Sequence, residues 1–77
     1  MSNLAYETIE RGGFIFRVYE IPDDGMGRMV GVAIGDPGKA GYFSHSHDYQ
    51  KENPIDREDK IEWCIGLLLK DLAYREI

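Results

Sequence analysis

Hydrophobic and polar residues alternate most clearly over residues 14–21, Phe-Ile-Phe-Arg-Val-Tyr-Glu-Ile. A period of two is that of a β-strand, in which successive side chains point to opposite faces. One face then carries Phe14, Phe16 and Val18, and the other carries Ile15, Arg17, Tyr19 and Ile21. Because both faces hold large side chains, we expect a central strand with something packed against each side.

Three further segments are strand-like: residues 4–10, residues 28–34 and residues from 42 to about 47. Residues 11–13, 22–27 and 35–41 separate them and are rich in glycine, proline and aspartate, which favour turns. Within residues 28–34, the face opposite the valines holds Gly31 and Ala33. Small side chains there would let another element approach closely.

The pattern changes to that of a helix after residue 52. Asn53 is a favourable N-cap and Pro54 suits the first helical position. Acidic residues that complement the helix dipole follow in the first turns: Asp56, Glu58 and Asp59. The spacing predicts a helix from residue 53 to residue 75.

Two apolar stripes run along this predicted helix. One is the expected core face, Ile61, Ile65, Leu68 and Leu72, with Cys64 and Leu69 on its flanks. The other lies behind it and comprises Trp63, Leu67 and Tyr74, with Lys60 and Lys70 beside them. Two interpretations of this second stripe stay open: Trp63 covers the connector at residues 48–52, or the stripe is a recognition or dimerisation surface.

These elements predict the α+β class: an antiparallel four-stranded β-meander with one C-terminal α-helix packed on one face. Residues 1–77 form a single domain, with the meander in residues 1–50 and the helix in residues 53–75. The sheet face that the helix leaves open is a competing contact site, and it would favour a sheet-to-sheet homodimer.

Composition narrows the functional classes. The chain has 77 residues, a formal net charge of −5 and one cysteine. It has no apolar run of membrane-spanning length and no secretory pattern, so we expect a cytoplasmic protein without a membrane partner. Its basic residues are scattered, which argues against direct nucleic-acid binding. No pattern in the sequence implies a cofactor.

Residues 44–48, Ser-His-Ser-His-Asp, are the segment that most suggests chemistry. On a strand, His45 and His47 point to the same face and are weak candidates for a shared metal. A thiol nucleophile at Cys64 is disfavoured, because the residue lies beside the apolar helix face. Residues 35–40 depart from a phosphate-binding loop, since Ala40 replaces the serine or threonine that binds magnesium.

We therefore expect a small, non-catalytic protein-binding module that acts stoichiometrically as an inhibitor or regulator of a larger nucleic-acid-handling complex. This class includes accessory proteins of phages and mobile elements. In its narrower form the protein mimics nucleic acid through acidic residues, Asp23, Asp24, Asp36, Glu58, Asp59 and Glu62. The alternative is a small metal-dependent protein or enzyme that uses His45 and His47.

Overall fold

The computed structural model describes residues 7–21, 28–50 and 52–75. Four strands precede one helix: β1 (Glu7–Arg11), β2 (Phe14–Ile21), β3 (Arg28–Ile34), β4 (Phe43–Tyr49) and α1 (Pro54–Arg75). The strands form one antiparallel sheet in the order β1-β2-β3-β4, and α1 packs on one face of it. The predicted α+β meander with a C-terminal helix is confirmed.

A two-residue turn joins β1 to β2. Gly12 and Gly13 have φ values of 63° and 85°, a backbone region that favours glycine over other residues. Two successive positive φ values are those of a type I′ turn, whose twist matches that of the flanking strands. The predicted start of β1 at residues 4–6 and the predicted loop at residues 22–27 lie outside the described residues.

The core lies between α1 and the helix-facing side of the sheet. Phe16 and Val18 of β2 and Val30 and Val32 of β3 have no exposed surface. The helix contributes four further buried residues: Ile61, Cys64, Ile65 and Leu68. The predicted core stripe of the helix is therefore correct, with Leu72 at its partly exposed margin.

The helix begins where the sequence predicts. The Asn53 side-chain oxygen accepts hydrogen bonds from the backbone N–H groups of Ile55, at 3.1 Å, and Asp56, at 3.3 Å. This is the N-cap arrangement that satisfies otherwise unpaired donors of the first turn. Asp56 in turn accepts from the Gln50 N–H at 2.7 Å, which ties the connector to the helix.

The fourth strand is longer than predicted. It extends to Tyr49, because Asp48 pairs with Met29 and Tyr49 pairs with Arg28 across the β3–β4 ladder. The Tyr49 ring packs against the core, and its hydroxyl donates to Glu20 at 2.7 Å. The connector to the helix is correspondingly shorter.

Candidate functional site

The register of the sheet assigns each alternate residue to one of two faces. Val18 pairs with Val32, and Val32 pairs with His45, so this row lies beneath the helix. The neighbouring row, in which Arg17 pairs with Ala33 and Ala33 with Ser44, lies on the other side. We call that other side the open face, because no helix or strand of the described residues covers it.

The open face is the one that holds Ile15, Arg17, Tyr19 and Ile21. Ile15 is 61% exposed, and the other three side chains are half-buried. The expectation that something packs against both faces of β2 is therefore unsupported within residues 7–21, 28–50 and 52–75. What shields part of the open face is the loop between β3 and β4.

A small cavity of about 150 Å³ lies where this loop meets the open face. Five residues line it: Arg17, Tyr19, Ala33, Pro37 and Tyr42. Apart from the Arg17 guanidinium and the two tyrosine hydroxyls, their side chains are apolar. Arg17 donates one hydrogen bond to the backbone carbonyl of Gly35, which fixes it at the loop.

Gly31 determines where the Tyr19 ring lies. A Cβ atom at Gly31 would stand 2.5 Å from Cζ of Tyr19, so the ring rests directly on the glycine backbone. The hydroxyl of Tyr19 is hydrogen-bonded to the Ser44 side chain, and burial raises the pKa of the Tyr19 phenol. The tyrosine is thereby held flat as one wall of the cavity. The small side chains at Gly31 and Ala33 predicted the close approach of another element, but what lies on Gly31 is the Tyr19 side chain of the neighbouring strand.

The second helical stripe does not point straight away from the sheet but lies along the β4 side of α1. The Trp63 ring meets His47 of β4 edge-on, with ring centroids 4.6 Å apart, and Trp63 remains 48% exposed. Its ring contact is thus with a strand residue. Tyr74 is 82% exposed, and Leu67 is half-buried beside a shallow groove that Lys70 also lines.

Both histidines point to the same face, as their spacing predicts, and the structure shows that this is the face that the helix covers. Nε2 of His45 is 2.7 Å from Asp71 of α1, and Nδ1 of His47 is 2.9 Å from the Asp48 carboxylate. In the described part of the chain, no three His, Cys, Asp or Glu side chains are grouped as metal ligands. The metal hypothesis stays a prediction, and elemental analysis of the purified protein tests it.

The acidic candidates that the structure describes are divided between the helix and the β3–β4 loop. Glu62 is paired with Arg11 through two hydrogen bonds of 2.5 and 3.0 Å, which lower the pKa of its carboxyl. Glu58 and Asp59 are exposed on the helix, and Asp36 is exposed in the β3–β4 loop. Asp23 and Asp24 lie outside the described residues. Lys60 pairs with Asp56 at 2.7 Å.

Cys64 is fully buried in the core. Burial raises the pKa of its thiol, so the reactive thiolate is disfavoured. The expectation that this cysteine packs among apolar residues is confirmed.

Comparison with models of protein families, with curated proteins and with solved structures finds no match to this chain. No helix within residues 7–21, 28–50 and 52–75 is long and apolar enough to cross a membrane.

The sequence pattern predicted only some of the residues that line the cavity. The alternation in β2 identified Arg17 and Tyr19 as sharing a face with Ile15. Pro37 and Tyr42 belong to a turn, and no periodicity shows that a turn folds back over a sheet. The useful signal was the pair of small residues, Gly31 and Ala33, in an otherwise bulky strand.

Proposed function

We propose that this protein is a small, non-catalytic module that binds another protein stoichiometrically through the open face of its sheet. One observation carries the proposal: a cavity of about 150 Å³ lies on a sheet face that also presents a 61% exposed isoleucine, Ile15. Concave apolar sites with a few placed polar groups are the usual form of a binding pocket. Exposed apolar side chains beside such a pocket are typical of interfaces.

The dimensions and lining of the cavity indicate the kind of group it takes. An apolar cavity of this size accommodates a single benzene-sized ring. Its walls are the rings of Tyr19, Tyr42 and Pro37. Tyrosine-lined grooves on small domains bind proline in extended peptides, and aromatic rings pack favourably against other aromatic rings. We therefore propose a partner segment that inserts a proline or an aromatic side chain.

Arg17 adds a charge preference to this site. One of its N–H groups is used by the Gly35 carbonyl, and a guanidinium has five donors. The remaining donors at the cavity margin suit a carboxylate in the partner. A ring next to an acidic residue is thus the motif that the site favours.

Two observations support a binding role over catalysis. The cysteine is buried with a raised thiol pKa, which removes the most reactive side chain from solvent. The two histidines are engaged by Asp71, Trp63 and Asp48 at the boundary between helix and sheet. Neither lies at the open-face cavity.

A more specific proposal is that the partner belongs to a nucleic-acid-handling complex. A net charge of −5 supports a partner that itself handles nucleic acid and carries basic surface. The protein would then be a cytoplasmic inhibitor or regulator of such a complex, of the accessory type that phages and mobile elements use. Contact through acidic side chains such as Asp36, Glu58 and Asp59 would mimic nucleic acid.

Two exposed isoleucines provide a matched test of the binding surface. Ile15 is on the open face, whereas Ile55, 72% exposed, is in the first turn of the helix. Affinity capture from the native host with wild-type protein is compared with capture by Ile15→Ser and Ile55→Ser, after circular dichroism confirms folding. We expect Ile15→Ser to lose the captured protein and Ile55→Ser to retain it. Loss with Ile55→Ser alone, or retention with both variants, would contradict the proposal.

A salt titration separately tests whether the protein mimics nucleic acid. Contacts made by exposed charges weaken as the Debye length falls from about 10 Å at 0.1 M salt to about 3 Å at 1 M. We expect the affinity of a nucleic-acid mimic for its partner to fall steeply over this range. Binding that is insensitive to salt would remove mimicry while leaving the open-face site intact.

A further inference from the structure

The two border strands of the sheet differ in charge. β1 carries three charged side chains in five residues, Glu7, Glu10 and Arg11, whereas β4 carries one in seven residues, Asp48. Among the strands that the structure describes, none pairs with the outer edge of β4. Charged side chains are a common protection of a sheet edge against pairing with another chain. The edge of β4 has little such protection.

The aromatic stripe of the helix lies above this same border. Trp63 contacts His47, and Asp71 is hydrogen-bonded to His45, so this flank of α1 follows β4. On the opposite flank, Glu62 pairs with Arg11 of β1. A strand edge with which no described strand pairs and the apolar stripe of the helix, Trp63, Leu67 and Tyr74, therefore meet along one side of the molecule.

We propose that this border is the interface of a homodimer, in which β4 pairs antiparallel with β4 of a second copy about a two-fold axis at Ser46. The two sheets would join into one of eight strands, with both helices on the same side. In an antiparallel pair, residues directly opposite each other point to the same side of the sheet. Ser46 is the central residue of β4, so an axis there pairs the two strands along their whole length. Residues 44–48 of each copy would then form the centre of the ladder.

In this register, the β4 residues of the two copies face each other without opposing like charges. Ser44 faces Asp48 of the partner subunit, and His45 faces His47 of the partner subunit. No carboxylate faces a carboxylate, and like charges placed directly opposite are what destabilises a cross-strand pair. A partner that presents the same strand thus fits the edge without an unfavourable charge pair.

The helices are complementary about the same axis. Ser46 is midway between His45 and His47, and Leu67 is midway between their helix contacts, Asp71 and Trp63. The axis therefore passes near Leu67, which meets Leu67 of the partner subunit. Trp63 approaches Asp71 of the partner subunit, so its indole N–H has a carboxylate acceptor. None of the five residues that line the open-face cavity lies in this interface, so the dimer and the proposed binding function can fail independently.

Two exposed serines on β4 test the register. In the proposed dimer the two Ser46 Cα atoms are about 4.5–5.5 Å apart, within the range that a disulfide spans. The two Ser44 Cα atoms are separated by four residues along the strand direction, which is roughly 13 Å. Under mild oxidation, Ser46→Cys should form a disulfide-linked dimer and Ser44→Cys should not. Equal cross-linking of both variants, or none with Ser46→Cys, would overturn the register.

Sedimentation of the wild-type chain tests the dimer itself, without any substitution at the edge. We expect a concentration-dependent dimer whose dissociation constant rises at least about tenfold in Leu67→Lys, because two lysines then meet at the axis. Glu58→Lys, an exposed helix position away from the stripe, is the matched control and should dimerise normally. A wild-type chain that sediments as a monomer throughout would overturn the proposal.

Discussion

The two faces of the sheet are built from alternate residues of the same strands, yet they are under different constraints. On the helix-covered face, Phe16 and Val30 are fully buried, whereas Ile15 on the open face is 61% exposed. A domain of this size obtains only about 3–5 kcal/mol from its core, so the covered face has little tolerance for change. The open face contributes less to stability, which leaves its side chains available for binding.

The largest expected effect is that of a cavity in the covered face. Phe16→Ala should cost about 3–5 kcal/mol, because a fully buried aromatic ring is removed and the site can relax only partly. That loss is comparable to the whole stability of the domain, so we expect a largely unfolded chain by circular dichroism. The neighbouring variant Ile15→Ala, on the open face, should change the free energy of unfolding by less than about 0.5 kcal/mol. Similar losses in both variants would show that the two faces are equally buried.

The second effect concerns a closely packed contact of the open face, that between Tyr19 and Gly31. In Gly31→Ala the new methyl group would overlap the Tyr19 ring, so the ring must move, at a cost of about 1–2 kcal/mol. Because burial is the main cause of the raised Tyr19 pKa, that pKa should fall towards its ordinary value. Ultraviolet titration of the phenols measures the shift. In a Tyr19→Ala background, Gly31→Ala should become nearly neutral, and an unchanged cost there would contradict the contact.

A smaller effect is expected at the rim of the covered face. Arg57 is hydrogen-bonded to Glu20 at 2.7 Å and to Glu7 at 3.2 Å, which joins the helix to two strands. Replacing it by methionine keeps the apolar stem and removes the charge. We expect a loss of about 1 kcal/mol that shrinks in 1 M salt, since these groups are partly exposed. Lys39→Met, at an exposed loop position, should leave the urea midpoint unchanged in both buffers.

The smallest effect is a pH dependence at the start of the helix. Hydrogen bonds from Lys60 and from the Gln50 N–H lower the pKa of Asp56. A carboxyl whose folded pKa is depressed stabilises the protein above its unfolded pKa, near 4, and this contribution is lost as the pH falls towards the folded pKa. The difference in melting temperature between wild type and Asp56→Asn should therefore narrow below about pH 4. Glu58→Gln provides the control, and a difference that widens in acid would contradict the assignment.

Local patterns in the sequence were sufficient for most of the fold. The alternation in residues 14–21, the paired glycines at 12 and 13 and the Asn53-Pro54 start each act through neighbouring residues alone. The end of β4 was missed because an aspartate in a polar segment is typical of a loop. What extends the strand is distant in sequence, the pairing of Asp48 and Tyr49 with β3.

The candidate sites were harder to predict than the fold for the same reason. Helical periodicity identifies Trp63, Leu67 and Tyr74 as one stripe, but it does not tell which strand the stripe lies beside. The contact between Trp63 and His47 decides that. The open-face cavity likewise depends on a loop residue, Tyr42, that meets β2 only in three dimensions.

The strand order β1-β2-β3-β4 also has a consequence for how the chain folds. Every strand pairs with its neighbour in sequence, so the sheet can assemble by successive short loop closures. Chains dominated by such local contacts fold quickly for their size. The ion pairs Arg57–Glu7 and Arg11–Glu62 instead join residues 50 and 51 positions apart. We expect these pairs to form after the main folding barrier, so their loss should accelerate unfolding and leave the folding rate nearly unchanged.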